Sequence, residues 1–322
     1  MKGVNCFLRV WTCLVAAVFA SVSAGAVQTE TVALSVGGTE RSFVCCTPDG
    51  LEAGRPLMIA LHGLTWDADY MRTHFRAETV ADTARFCVVY PDGIGNSWDI
   101  SGTTDTEFIC SIIDWAAEHR SIDRSRVYLT GFSMGGMLTY HSMNLIADRI
   151  AAFAAMSGYP LINRSYESSR PVPLLHIHGT SDPIVWYSSV PTVIENWVAR
   201  NGCDSEPVLT SPYKAQNITR YRYLNGTDGV EVELLKMSGV AHKLVNDSIF
   251  SAEEVWNFCS RFSLPSEQSA IEETAADEDG HTDYFDLGGR RLASPAGSRG
   301  VIIQRVRKAD GSVECRKMVV GR

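Results

Sequence analysis

From Thr29 to Pro48 apolar residues recur at every second position, at Val32, Leu34 and Val36 and again at Phe43 and Cys45, with Gly37-Gly38 between the two arms. A period of two interrupted by a glycine pair predicts an antiparallel hairpin. Beyond Pro48 the rhythm changes to short apolar-rich runs at Leu57 to Leu61, Phe86 to Tyr90, Val127 to Thr130, Ala152 to Met156, Leu174 to Ile177 and Val230 to Leu235. These are too short for helices and suit strands covered on both faces. Between them Phe108, Ile109, Ile112, Ile113, Trp115 and Ala116, and later Val190, Val193, Ile194, Trp197 and Val198, return at helical spacing. Repetition of strand, helix and strand predicts an α/β protein with a mainly parallel central sheet, an N-terminal antiparallel hairpin and helices on both faces. A last helix is expected from Ser251-Ala252-Glu253-Glu254, which has the spelling of a capping box ahead of Val255, Trp256, Phe258 and Phe262.

Both ends depart from this pattern. Lys2 and Arg9 precede an apolar run from Val10 to Ala20, and small residues follow it from Ser21 to Ala26. This is the layout of a signal peptide, with cleavage expected after Ala24 or Ala26. The apolar run is short of a bilayer span and no other stretch approaches one, so no membrane span is expected. Residues 27–263 read as the folded domain. In 264–283 the acids Glu267, Glu272, Glu273, Asp277, Glu278, Asp279 and Asp283 stand without a single Lys or Arg, the composition of a solvated linker. Residues 284–322 reverse the balance and form a basic tail, where Val301-Ile302-Ile303 and Met318-Val319-Val320 flank the turn signal Asp310-Gly311.

Composition narrows the reading further. The chain has 322 residues with 45% hydrophobic and 20% charged, a globular balance that excludes collagen, coiled coil and wholesale disorder. With 29 Lys and Arg against 37 Asp and Glu the net charge is −8, which argues against a nucleic-acid partner and for a small or neutral ligand. Of the 9 cysteines, Cys6 and Cys13 fall in the leader; the rest are odd in number, so at least one thiol is unpaired within the chain. No CxxC pair occurs, and Cys45-Cys46 are neighbours on a strand pattern whose side chains face opposite ways, which argues against structural zinc. Cys87 and Cys110 read as small buried hydrophobes.

Candidate chemistry centres on Gly131-Phe132-Ser133-Met134-Gly135, a Gly-x-Ser-x-Gly pattern that follows the Val127 to Thr130 run and precedes Met137, Leu138 and Leu145 at helical spacing. Strand before and helix after is the context the pattern requires, and side chains at 131 or 135 would collide with backbone in so tight a turn. Ser133 is then a nucleophile that needs a base, and the base needs an acid to hold its tautomer. Asp182 follows the Leu174 to Ile177 run, and His242 follows the Val230 to Met237 run; both stand where loops leave strand ends, in the order Ser, Asp, His. Backbone N–H groups of Met134 and Leu64 are the expected oxyanion donors, with Gly63 allowing close approach. His62, His176 and His178 read as structural. They bring no carboxylate or fourth ligand at metal-site spacing, so neither a metal nor another cofactor is expected.

Five blocks together, Leu61-His62-Gly63, Tyr90-Pro91-Asp92-Gly93 followed by Trp98, Gly131 to Met137, His178-Gly179-Thr180-Ser181-Asp182, and Arg200-Asn201-Gly202-Cys203, make the chain similar to the extracellular branch of the α/β-hydrolases. That branch contains the polyhydroxybutyrate depolymerase-like esterases and the feruloyl and acetyl xylan esterases of carbohydrate esterase family 1. The resemblance runs from about Val32 to Phe262. It implies the α/β-hydrolase fold and a secreted serine esterase in which Ser133, Asp182 and His242 form the triad. The implied substrate is an ester-bearing polysaccharide, feruloylated or acetylated plant xylan first and a polyester such as polyhydroxyalkanoate second; a serine peptidase and a hydrolase-fold binding module are the alternatives. Two departures stand out. Val240-Ala241-His242-Lys243-Leu244 replaces the family's usual Gly-His-Thr-Trp-Pro, and Cys203 lacks its usual downstream partner, for which Cys259 is a substitute. Only 13 residues run from Gly158 to Arg170, too few for a large lid. Trp66, Trp98, Trp186 and Tyr187 follow strand ends and are candidates for stacking on a sugar or phenolic ring. The segment Tyr284-Phe285-Asp286 to Arg291 is similar to C-terminal segments of exported Bacteroidota proteins, some of which engage secretion machinery.

Overall fold

The computed structural model describes residues 27–161, 165–265, 281–286, 291–292, 300–307 and 313–320. The leader, most of the acidic segment and the Asp310-Gly311 turn lie outside the described residues. Two compact units divide the chain, Met1–Leu264 and Pro265–Arg322.

The first unit opens with β1 (Val27–Val36) and β2 (Thr39–Pro48), the antiparallel hairpin expected from the alternating pattern. It continues through β3 (Leu57–Leu61), α1 (Ala68–Phe75), α2 (Ala77–Ala84), β4 (Cys87–Pro91), α3 (Thr104–His119), β5 (Val127–Phe132), α4 (Met134–Leu145), β6 (Ala152–Met156), β7 (Leu174–Gly179) and α5 (Val190–Asn201). It closes with β8 (Val208–Thr210), β9 (Ile218–Tyr223), β10 (Val232–Met237) and α6 (Ser251–Cys259). The strands form one 10-stranded sheet in the order β1-β2-β4-β3-β5-β6-β7-β10-β9-β8. The strands from β4 to β10 in this order run parallel; β1 and β2 at one edge and β9 and β8 at the other run antiparallel.

Period-two alternation divides the core in two. Leu57, Ile59 and Leu61 join Phe153, Leu174 and the inner faces of α3, α4 and α5, whereas Met58 and Ala60 join Tyr128, Leu175 and the residues of α1, α2 and α6. Each apolar run therefore feeds both layers, which is why the runs carry so few polar positions. Trp197 of α5 is about 1% exposed and is among the largest side chains buried in the first layer.

Several expectations need correction. Ser251 is the first helical residue of α6 and not its cap: Phe250 holds the cap position, and the Ser251 hydroxyl donates to Leu244 O at 3.2 Å. The strand expected at Val230 to Leu235 runs Val232–Met237, and β8 and β9 lie at the sheet edge, are made mostly of exposed and half-buried residues and carry no apolar run. Cys203 packs against the first core layer and Cys259 lies within the second, so the sheet separates them; both are free thiols. Cys87 is buried, whereas Cys110 is only partly so. Cys45 and Cys46 do face opposite layers.

The second unit is a 4-stranded antiparallel sheet of β11 (His281–Asp286), β12 (Arg291–Leu292), β13 (Gly300–Arg307) and β14 (Val313–Val320), ordered β12-β11-β13-β14. Val301 pairs with Val319 and Ile302 with Met318, the pairing that the flanking apolar triplets call for. β11 begins within the acidic segment, at His281. Asp283 is buried there and forms ion pairs with Arg291 and Arg305.

Candidate active site

β5 delivers Phe132 into a sharp turn, and α4 starts at Met134. Ser133 between them has φ 53° and ψ −116°, a conformation that costs a residue bearing a β-carbon roughly 1–3 kcal/mol. Its own amide donates to Met156 O at 2.8 Å, which ties the turn to β6. Glycine is required on either side for steric reasons. A Cβ at Gly131 would stand 2.3 Å from the carbonyl of Gly135, and one at Gly135 would stand 2.5 Å from Leu61 O.

The loop after β7 carries Asp182, and the loop after β10 carries His242. They are laced together by Ser181 N–H to Val240 O at 3.0 Å and Gly239 N–H to the Thr180 hydroxyl at 2.9 Å. The Ser133 hydroxyl lies 2.9 Å from His242 Nε2, and His242 Nδ1 lies 2.7 Å from Asp182 Oδ2. Asp182 Oδ1 accepts the backbone N–H groups of Ile184 and Val185, both at 2.9 Å. The carboxylate thus takes two amides on one oxygen and His242 on the other, beside which His178 Nε2 stands 3.3 Å away while donating to Val185 O. The Asp182 side chain is fully buried and that of His242 is 11% exposed, so one end of the set meets solvent and the other does not.

Gly63 sits within van der Waals reach of Ser133, its notional Cβ 3.5 Å from the serine Cβ, so the residue that follows it, Leu64, adjoins the nucleophile. Leu64 is 53% exposed. Met134 opens α4, and the first amides of a helix have no intrahelical acceptor and sit at the positive end of its dipole.

The aromatic candidates separate. Trp66 stacks on Phe132 with centroids 5.1 Å apart, and Phe132 in turn lies 4.8 Å from the His242 ring, so an aromatic wall stands beside the base. Trp186 is 68% exposed, four residues after Asp182. Tyr187 is half-buried, edge-on to His178 at 5.9 Å, and burial lifts its phenol to about 12. Trp98 is a correction: it is only 4% exposed, its indole N–H donates to His62 O at 2.8 Å, and it packs on the His62 ring, so it supports the loop and offers no face to a ligand. His62 accepts the Gly93 amide on Nε2 at 3.0 Å and donates from Nδ1 to Gly63 O at 2.7 Å, a structural role in holding the Leu64 loop. No group of three or more His, Cys, Asp or Glu side chains suited to a metal occurs among the described residues.

His176 and His178 read as structural from sequence, and Tyr140 carries no signal there. The three form a line of hydrogen bonds that ends at the Val185 carbonyl in the acid's loop; His176 and His178 are two apart on a strand and so share one face. Burial holds His62, His176 and His178 below the ordinary imidazole value, His176 furthest. They are neutral in the folded protein and free to take protons once unfolded. Stability is therefore complete above the unfolded value of about 6.5 and is lost as pH falls below it, by up to about 1.4 kcal/mol per pH unit for each ring. Urea unfolding at a series of pH values between 7 and 5 measures this. A flat profile would show that the rings charge equally in both states.

A family profile described as Phospholipase/Carboxylesterase matches residues 99–199. The bifunctional acetylxylan esterase/xylanase XynS20E of Neocallimastix patriciarum is 38% identical over 238 residues, which cover 72% of this chain and 35% of that protein. Feruloyl esterase B of Piromyces equi is 26% identical over 255 residues, 70% of this chain and 46% of that protein. The chain thus spans less than half the length of these two relatives. Among solved structures, the acetyl xylan esterase from Aspergillus awamori superposes with TM-score 0.59 at 17% identity over 72% of this chain and 99% of that one, a likeness of fold.

Proposed function

We infer that this α/β-hydrolase, similar to the acetyl xylan and feruloyl esterases of carbohydrate esterase family 1, is a serine carboxylic-ester hydrolase that removes acetyl or feruloyl groups from plant cell-wall xylan. The observation that carries the reading is the unbroken line from Ser133 Oγ to His242 Nε2 at 2.9 Å and from His242 Nδ1 to Asp182 Oδ2 at 2.7 Å.

That line supports acyl transfer in two steps. The Ser133 oxygen attacks the ester carbonyl as its proton passes to His242 Nε2, and the oxyanion that forms is met by the N–H groups of Leu64 and Met134. His242 returns the proton to the leaving alcohol, which departs and leaves the acyl group on Ser133. Water then attacks the acyl-enzyme, giving its proton to His242, which passes it to the Ser133 oxygen as the ester bond to the serine breaks and the carboxylic acid is released. Asp182 steadies the imidazolium in both steps. The exposed Trp186, in the acid's loop, offers a ring face for a pyranose or phenolic group, while Trp66 packs between Phe132 and Tyr70.

The leader 1–26 supports export, 27–263 is the catalytic domain, 264–283 joins it to the tail, and the basic tail 284–322 engages secretion machinery. No helix among the described residues is long and apolar enough to cross a membrane. Purified protein offered acetylated xylan, methyl ferulate, polyester film and an amide analogue should release acetate or ferulate, measured by chromatography, faster than it degrades film or amide. Film erosion alone would assign the polyester alternative, amide cleavage alone a peptidase, and no turnover on any of the four a binding module.

A further inference from the structure

His178 Nε2 lies 2.7 Å from the Val185 carbonyl oxygen and 3.3 Å from Asp182 Oδ2. A carbonyl can only accept, so Nε2 must bear the proton. In a neutral ring Nδ1 is then an acceptor, and 3.0 Å from it stands His176 Nε2, which must donate. By the same step His176 Nδ1 accepts, and the Tyr140 hydroxyl 2.9 Å away donates to it. Both imidazoles are fully buried and held neutral by desolvation, and burial likewise keeps Tyr140 a phenol. Each proton position is determined by the next, and the line of donors ends at the Val185 carbonyl in the acid's loop.

We propose that Tyr140, His176 and His178 are positioning residues that present one fixed N–H to the Val185 carbonyl and so hold the 182–185 turn, whose Val185 amide donates to Asp182 Oδ1, in the orientation His242 requires. The chain starts on α4, two turns beyond Ser133 on the nucleophile's own helix, crosses β7 and ends in the acid's loop. It braces the two ends of the triad against one another through the protein interior.

This inference rests on the esterase reading, and its test separates the two. In the intact protein, ¹⁵N-imidazole NMR should show His176 and His178 both as neutral Nε2–H tautomers from pH 6 to 8; an Nδ1–H tautomer or an imidazolium at either position overturns the proposal, whatever the activity. With p-nitrophenyl acetate, His178→Leu should lower kcat about 10- to 100-fold, the scale of leaving one buried carbonyl without its donor, while KM stays within about twofold. His178→Gln, whose side-chain amide can again donate toward the Val185 carbonyl, should recover most of the loss. A folded His178→Leu protein with wild-type kcat, or a Gln variant as slow as Leu, rejects the positioning role. Ser133→Ala assayed in parallel isolates the parent reading: if it retains activity the esterase assignment fails, while the tautomers can still be read from its spectrum.

Discussion

Ser133→Ala is expected to lose about 10⁶ in turnover of p-nitrophenyl acetate, close to 8 kcal/mol of barrier, while melting at nearly the wild-type temperature. The substitution removes one oxygen and leaves everything that positions it. The β-carbon and the Ser133 N–H to Met156 O bond remain, and Gly131 and Gly135 still pack the turn. Without the oxygen no acyl-enzyme forms; the residual rate is what Leu64, Met134 and His242 provide to direct attack by water. Activity within tenfold of wild type would place the nucleophile elsewhere and dissolve the mechanism.

Asp182→Asn should cost about 10⁴ in kcat, and the hydrogen bonds at this site explain why the amide cannot turn to a harmless pose. Oδ1 is held by two backbone N–H groups, from Ile184 and Val185, so in the variant that position must keep the carbonyl oxygen. The NH₂ group is then forced into the place of Oδ2, facing His242 Nδ1. His242 must offer Nδ1 as acceptor and carry its proton on Nε2, where it meets the serine hydroxyl as a donor and cannot take its proton. Steady-state kinetics with a thermal melt tests this: a folded Asn variant within about tenfold of wild type would show that the imidazole does not depend on this carboxylate.

Much of this arrangement was legible in the chain because it rests on backbone requirements that leave marks in spelling. Gly131 and Gly135 are dictated by contacts of 2.3 and 2.5 Å, and the short runs feeding β3 to β7 are dictated by burial on both faces. The order of Ser133, Asp182 and His242 follows from which strands end at the same edge of the sheet. What sequence could not supply was the third dimension of single side chains. Trp98 and Trp186 look alike as tryptophans after strands, yet one turns inward to the His62 carbonyl and the other outward to solvent. The resemblance suggests Cys259 as a substitute partner for Cys203, and the sheet between them forbids it. Ser251 spells a cap, but the chain enters α6 one residue earlier because its hydroxyl is engaged by Leu244. His176 and His178 look idle until their partners are seen on α4 and in the acid's loop.

The backbone at residue 133 sits in a region that glycine occupies without penalty and serine does not. Folding alone would favour the smaller residue there, so reactivity and conformational ease make opposing demands on a single Cα. The hydroxyl's pose is consequently decided before any substrate arrives. The acyl acceptor is held ready by the scaffold, and a fit that waited for the ester to shape it would have no need of so uncomfortable a turn.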